Sequence, residues 1–179
     1  MTIHGGHPFL PPESERSPVR RLRGRLTSGV SLWTSTLHDR PVGLTVSSML
    51  VADGEPGRVL ALVDPDSDLY DALLVSRTAA ISLLTYEHRA LADAFAGVAP
   101  APGGPFRMGS WTDTEWGPVV VDAPTWAGCR LADGEPREVG WALLVEAVLE
   151  RVELAEEQHM PLVHRRGRYL RDSGDPSGG

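Results

Sequence analysis

The chain of 179 residues contains no lysine, no asparagine and a single cysteine, Cys129. One cysteine excludes an intrachain disulfide and any multi-cysteine metal site. Long hydrophobic runs are also missing. The apolar stretches reach about five residues, as at 59–63, against the ~20 of a membrane-spanning helix. Proline and polar residues fill positions 1–12, where a secretory signal would need an apolar centre, so the expectation is a soluble, cytoplasmic protein. Common catalytic signatures are absent too: there is no Gly-x-Gly-x-x-Gly, P-loop, Gly-x-Ser-x-Gly or His-Glu-x-x-His. His38, His88, His159 and His164 lack metal-ligand spacing and read as surface or capping residues. His4 and His7 have a spacing that suits a metal but lie in a polar tail, where they read as incidental.

What is present begins with charge. All 17 basic residues are arginine, set against 24 acidic ones, for a net charge of −7. Five arginines fall between Arg16 and Arg25, and four between Arg165 and Arg171. A nucleic-acid arm is one reading of such clusters. Against it, the acidic remainder repels phosphate backbones, and the two clusters together hold a single aromatic, Tyr169, for base stacking. With 41% hydrophobic and 23% charged residues the chain is globular. A chain of this size buries roughly 70% of its extended surface, enough to fold without a staple. One domain is expected over 19–171, between tails 1–18 and 172–179 rich in Pro, Gly and Ser and expected to be disordered.

Residues 26–37 read as a strand with Val30, Leu32 and Thr34 on one face and Ser31, Trp33 and Ser35 on the other. A turn at 38–41 leads to a second strand over 42–51, whose buried side holds Val42, Leu44 and Val46. After another turn, 58–63 is expected to be a fully buried strand; two short loops joining three strands predict an antiparallel meander. Asp66 or Ser67 caps a helix over 69–76, residues 79–84 return to strand, and 87–96 form an amphipathic helix on Leu91 and Phe95, closed by Gly97. Phe106, Trp111 and Trp116 suit stacking on a planar ligand or plugging a core or subunit interface, the second being the weightier. Residues 119–131 form two strands broken at Ala123-Pro124, and Cys129, alternating with Ala127 and Leu131, reads as a buried structural thiol. Ala-Asp-Gly-Glu-Pro recurs at 52–56 and 132–136 as shared turn chemistry rather than a duplication.

One segment supports two assignments. Over 141–154, Trp141, Leu144, Val145, Val148, Leu149 and Val152 make a helical stripe, while Leu143, Val145, Ala147 and Leu149 make one side of a strand. Periodicity alone favours the helix.

The stretch with chemical content is Pro41-Val42-Gly43-Leu44-Thr45-Val46-Ser47-Ser48. A glycine-containing apolar strand ending in small hydroxyl residues supplies short donors and lets a flat ligand approach the main chain; it also describes an ordinary half-exposed strand. Together with Ser28-Gly29-Val30, Trp33-Thr34, Leu91-Ala92-Asp93-Ala94-Phe95-Ala96-Gly97 and Pro161-Leu162-Val163-His164-Arg165-Arg166-Gly167-Arg168-Tyr169, it resembles the flavin reductase-like, FMN-binding split-barrel family. The resemblance runs in order over residues 22–171. It implies a mainly β fold, an antiparallel split β-barrel with flanking helices, acting as a homodimer. It further implies FMN (or FAD) held by Thr45, Val46, Ser47 and Ser48, with the phosphate near Asp66 and Ser67 and with His164 and Arg168 at the site. The implied activity is hydride transfer from NAD(P)H to flavin, with reduced flavin passed to a partner monooxygenase; the alternative is a flavin-binding protein without a nicotinamide site.

Two departures bear on this. Asp64, Asp66 and Asp68 crowd the phosphate loop, so an arginine elsewhere must supply charge, with Arg168, Arg165 and Arg89 the candidates. Relatives often carry Gly-Asp-His before the last long strand, with the histidine facing the nicotinamide; here Val139-Gly140-Trp141 stands there. The resemblance also makes 141–154 a barrel strand, against periodicity.

Overall fold

The computed structural model describes residues 17–156 and 159–170. Of the expected tails, residues 1–16, with His4 and His7, and 172–179 lie outside the described part, while Ser17 and Pro18 belong to the start of a helix. Helix α1 (Pro18–Arg25) opens the described chain, with Pro18 in its first turn and the Ser17 hydroxyl accepting from Arg20 N. Strands β1 (Ser28–Gly29), β2 (Ser31–Leu37) and β3 (Arg40–Val46) follow. His38 and Asp39 join the last two with φ of 48° and 62°, the left-handed twist of a two-residue hairpin loop. Next come β4 (Met49–Ala52), β5 (Arg58–Val63), α2 (Asp68–Ser76) and β6 (Thr78–Leu83). The predicted helix over 87–96 is a 3-10 turn, Tyr86–His88, running into α3 (Arg89–Phe95), and Gly97 ends it with φ of 67°. Strands β7 (Trp111–Thr112), β8 (Val119–Val120), β9 (Thr125–Leu131), β10 (Arg137–Val139), β11 (Ala142–Leu154), β12 (Val163–Arg165) and β13 (Arg168–Leu170) complete the chain.

The main sheet is antiparallel throughout, in the order β3-β2-β6-β9-β11-β5-β4, with β10 on β11. The expected three-strand meander is therefore corrected. Its two hairpins exist, but the predicted strand over 42–51 breaks at Ser47-Ser48, and its halves lie on opposite edges of the sheet. Short loops show which strands are consecutive, not which pairs close. Two residues span at most about 10 Å between Val46 and Met49, so the sheet must curl until its edges meet. Ser48 adds one rung to the β4–β5 ladder, its O accepting from Leu62 N at 3.3 Å and its Oγ donating to Leu62 O at 2.9 Å. This is the split barrel that the resemblance implied. Strand β5 is not fully buried as expected, since Arg58 and Leu62 are exposed on its outer side.

Residues 142–154 are the long strand β11, not a helix. Its first half pairs with β5 and its second with β9. Leu143, Val145 and Ala147 point inward and are buried, while Leu144 and Val148 stand on the outer face beside Leu62 and Arg58. A strand apolar on both faces mimics a helical stripe, which is why periodicity misled.

Inside the barrel, Trp33, Val46, Val59, Ala61, Val63, Ile81 and Val145 pack together, and α2 closes this core with Leu69 and Leu73. On the outer face, Leu91, Ala92 and Phe95 of α3 cover Val30 and Leu32, together with Val120 and Leu162. Trp116 fastens the intervening loop. A Cβ on Gly128 would lie 2.2 Å from its Cδ2, so the indole rests directly on bare backbone. Its Nε1 donates to Glu150 Oε2 at 2.6 Å, at a register shift in β11, and Arg130 holds the other carboxylate oxygen. Arg130 and Trp116 together keep the Glu150 carboxyl below its ordinary pKa.

Gly128→Ala is expected to expel Trp116 and cost about 1–3 kcal/mol, as overpacking does. Thermal unfolding checks this: a melting temperature equal to wild type would show that the indole is not seated there.

Candidate functional site

The seam between the sheet edges places the predicted hydroxyl residues at the surface. Thr45 sits under α3, and its Oγ1 donates to Ala92 O at 2.6 Å. Val46 turns its side chain into the core, while its carbonyl accepts from Ser31 Oγ at 2.9 Å. Ser47 and Ser48 are exposed. Ser48 spends its proton on Leu62, whereas the Ser47 hydroxyl has no partner among the described residues. Across the hairpin, Gly29 leaves open space where a side chain would be. The result is an open shelf with one free hydroxyl, rimmed by exposed Leu50 and Leu62. These features fit a flat ring with a polar edge, which needs access to backbone, a short donor and an apolar face.

Two walls rise beside the shelf. The first follows Leu62 and Val63 into α2. There Ser67 caps the helix, accepting from Tyr70 N at 3.3 Å and donating to Asp64 O at 2.7 Å, while Asp64 Oδ1 accepts from Asp66 N. Both functions of the Ser67 hydroxyl are thus used within the loop, and Asp68 and Asp71 stand in the first turn. The second wall is the β12–β13 hairpin. Val30 N donates to Leu162 O at 2.8 Å and Leu162 N to Leu84 O at 2.6 Å, which brings 161–164 against the start of β2, whose Ser31 pairs with Val46.

His164 lies in this second wall, edge-on to Tyr169 with ring centroids 5.6 Å apart. Tyr169 OH donates to Asp93 Oδ1 at 2.8 Å, and burial with the Asp93 charge pushes the phenol above its ordinary pKa. Burial holds His164 below the usual histidine value; the Asp93 charge raises it, and Arg23 lowers it. Arg168 is exposed at the turn. Of the other arginine candidates, Arg165 is exposed beside it, while Arg89 donates to Tyr86 O and lies over the Tyr86 ring. Trp141 projects from the β10–β11 turn, 99% exposed, beyond the Leu143–Val63 pair that precedes Asp64. Its indole does not fill the shelf.

Thus Leu62, bonded to Ser48, leads through Val63 to the Asp66-Ser67 loop, and the hairpin that carries His164 and Arg168 docks on β1 ahead of Ser31, which pairs with Val46. Sequence reasoning missed Asp93, Ala92 and Leu62, which hold Tyr169, Thr45 and Ser48. They make these bonds across 14 to 76 positions in sequence, and no local pattern announces them. Other candidates fall elsewhere. Phe106 and Trp111 pack edge-on to Phe95 at 4.8 and 5.7 Å as part of the outer core. Cys129 is buried, its thiol pushed up to about 12 by burial, as a structural thiol should be. His88 caps the α3 entrance, its Nδ1 accepting from Thr85 N, and its Nε2 faces Asp122 Oδ1 at 3.2 Å without a well-directed hydrogen bond. Two clefts of about 250 and 580 Å³ lie under the 105–126 loop, and neither is lined by the shelf. No metal-ligating cluster occurs among the described residues.

Comparison with known proteins follows the same outline. The family described as flavin reductase like domain matches residues 23–171. The chain is 29% identical over 161 residues to FMN reductase (NADH) RutF 2 of Methylorubrum extorquens (strain PA1), covering 86% of this chain and 89% of that protein. It is 27% identical over 159 residues to NADH-dependent FMN reductase AsuE2 of Streptomyces nodosus subsp. asukaensis, covering 88% and 85%. Among solved structures, the NADH:FAD oxidoreductase SgcE6 of Streptomyces globisporus C-1027 superposes with a TM-score of 0.78 at 22% identity, covering 93% of this chain and 98% of that one. The flavin reductase component of a bacterial two-component tryptophan halogenase gives 0.71 at 22% identity, covering 85% and 96%.

His164 carries a pH signature. Its folded pKa is depressed, so its contribution to stability is full above the unfolded value of about 6.5 and is lost as pH falls through the lowered folded value. An NMR titration should therefore place the His164 midpoint below about 6.5. In Arg23→Gln the midpoint should rise, and an unmoved midpoint would remove Arg23 from its surroundings.

Proposed function

The chain belongs to the flavin reductase like domain family, and on that premise we propose that it is an NAD(P)H-dependent flavin reductase. It binds FMN (or FAD) along the shelf at Thr45, Val46, Ser47 and Ser48, between Asp66-Ser67 and the His164–Arg168 hairpin. The observation that carries this reading is the exposed, unpaired Ser47 hydroxyl on a seam otherwise closed by hydrogen bonds.

When bound, the flavin supplies the hydride chemistry, so no acid–base pair or metal is required of the protein. The chain's own work is positioning. Thr45 and Ser48 are immobilised through Ala92 and Leu62, which fixes the backbone on either side of Ser47. Ser47 then offers a donor at a set position, and apolar Leu50 and Leu62 favour the ring face over water. Trp141, 99% exposed, leaves the approach to the shelf open, which favours reductase activity over the alternative of a binding protein without a nicotinamide site. Relatives named as a monooxygenase component and a halogenase component support a role in supplying reduced flavin to a partner oxygenase in the cytoplasm.

The reading includes a homodimer. On the outer face of β4, β5 and β11, Leu50 pairs with Leu60 and Leu62 with Leu144, and Val139 of β10 extends the patch. Among the described residues no helix covers this part of the outer face, although α3 covers the part over β2. An uncovered apolar sheet face beside an open shelf suits a second copy that buries the one and walls the other.

Two measurements test these statements. Added FMN should bind, NADH or NADPH should bleach it without oxygen, and Ser47→Ala should weaken FMN affinity about fivefold, the worth of one hydrogen bond. A colourless protein that never takes up flavin would end the proposal. Light scattering should give twice the 19.3 kDa chain mass for wild type and the single mass for Leu62→Asp; a wild-type monomer would refute the dimer.

A further inference from the structure

Helix α3 touches both the shelf and the β12–β13 hairpin. It lies along β3 against bare backbone: a Cβ on Gly43 would come within 2.9 Å of Phe95 Cε1. Ala92 and Ala94 are buried, and their small side chains let the helix sit this close. Two residues further along β3, Thr45 Oγ1 donates to Ala92 O at 2.6 Å. That carbonyl also accepts from Ala96 N at 2.9 Å. It belongs to the last turn of α3, where helical carbonyls have capacity to spare.

The next residue serves the hairpin. Asp93 Oδ1 accepts from Tyr169 OH at 2.8 Å, across 76 positions of sequence. Among the described residues this is the one side-chain hydrogen bond that leaves the hairpin. The main chain ties β13 only through β12 and through the bond from Arg166 N to Gly24 O at the turn. Tyr169 stands directly opposite His164 in the ladder, and the two rings meet edge-on. The surroundings of His164 are therefore Tyr169 beside it, with the charges of Asp93 on α3 and Arg23 on α1. A hydrogen bond to a carboxylate is short, directional and about twice as strong as a neutral one. Burial and the Asp93 charge hold the Tyr169 phenol above its ordinary pKa, so it keeps its proton and remains the donor.

We propose that Asp93 is a positioning residue of the flavin site, orienting His164 through Tyr169 while the adjacent Ala92 carbonyl orients Thr45. Consecutive residues of one helix thereby fix the spacing between the hairpin and the shelf. The inference rests on the flavin-binding reading above and adds a residue that does not line the shelf. The β1–β12 ladder sets the register of the hairpin. The Asp93 tie sets how Tyr169 and His164 stand against α3.

The test is a fluorescence titration of the full chain with FMN, with His164 followed by NMR. Asp93→Asn keeps an oxygen that accepts from the Tyr169 hydroxyl, and Asp93→Ala removes it. Asp93→Ala and Tyr169→Phe should each weaken FMN binding about fivefold, and the double variant no further, since both remove the same bond. Asp93→Asn should bind within about twofold of wild type. The His164 midpoint should fall in both Asp93 variants, because the carboxylate that raises it is gone. A loss of stability alone leaves that midpoint in place. Wild-type affinity in Asp93→Ala and Tyr169→Phe overturns the assignment, as do losses that add in the double variant or a midpoint that Asp93→Asn leaves unmoved. Equal loss in Asp93→Asn and Asp93→Ala also overturns it, since the acceptor oxygen would then not be what matters. Tyr169→Phe removes a lone oxygen, so the test stands even where Asp93→Ala does not fold. No uptake of FMN by wild type overturns the flavin reading and this inference with it.

Discussion

The architecture depends on a two-residue crossing. β3 and β4 are consecutive in the chain yet form opposite edges of a seven-strand path, so Ser47 and Ser48 must close the curl by themselves. Paired hydrogen bonds with Leu62 seat Ser48 in the β4–β5 ladder at once, and the barrel interior from Trp33 to Val145 is enclosed by the curl that this short crossing imposes. Small hydroxyl residues suit the crossing. They bond to neighbouring main chain without needing volume, and they satisfy backbone groups that leave the ladder. The same requirement leaves a free hydroxyl at the surface. In the proposed function, a structural necessity of barrel closure supplies the binding group.

Charge is organised around that crossing. The α2 side collects carboxylates that serve the helix N-terminus, where negative charge is favourable. On the other side, α1 places Arg23 and Arg25 at its C-terminal end, where positive charge is favourable, and the β12–β13 turn adds three more arginines. Each set is locally stabilised by its own helix, so the segregation costs little in folding.

How much of this was legible in the sequence varied by mechanism. Local chemistry read well: the Ser67 cap, the Gly97 helix stop, the His38-Asp39 turn and the buried Cys129 all follow from short-range rules. Pairing did not, because the run over 42–51 has one β-propensity and two sheet neighbours, and nothing local marks where the ladder ends. The hydroxyl cluster could be named, but the anchors that immobilise it, Ala92 and Leu62, come from other elements. The arginine clusters were visible as composition. Only the bond between Arg166 and Gly24 shows that two segments far apart in sequence make one face.

The misleading periodicity of β11 carries its own argument. A barrel strand with one solvated face alternates apolar and polar residues; β11 instead has Leu143, Val145 and Ala147 inside and Ala142, Leu144 and Val148 outside. The excess of outward apolar residues is what generated a helical stripe, so the ambiguity is a property of the molecule. Among the described residues those outward side chains are only half-buried, as α3 and the 105–126 loop lie over β2, β6 and β9. Burying them against a second copy would remove the conflict between strand and surface. In the proposed dimer it would also set a wall opposite the exposed Ser47. In the proposed function, the need to bury that face and the need to enclose a flat ring would be met by the same association, and assembly would be tied to chemistry.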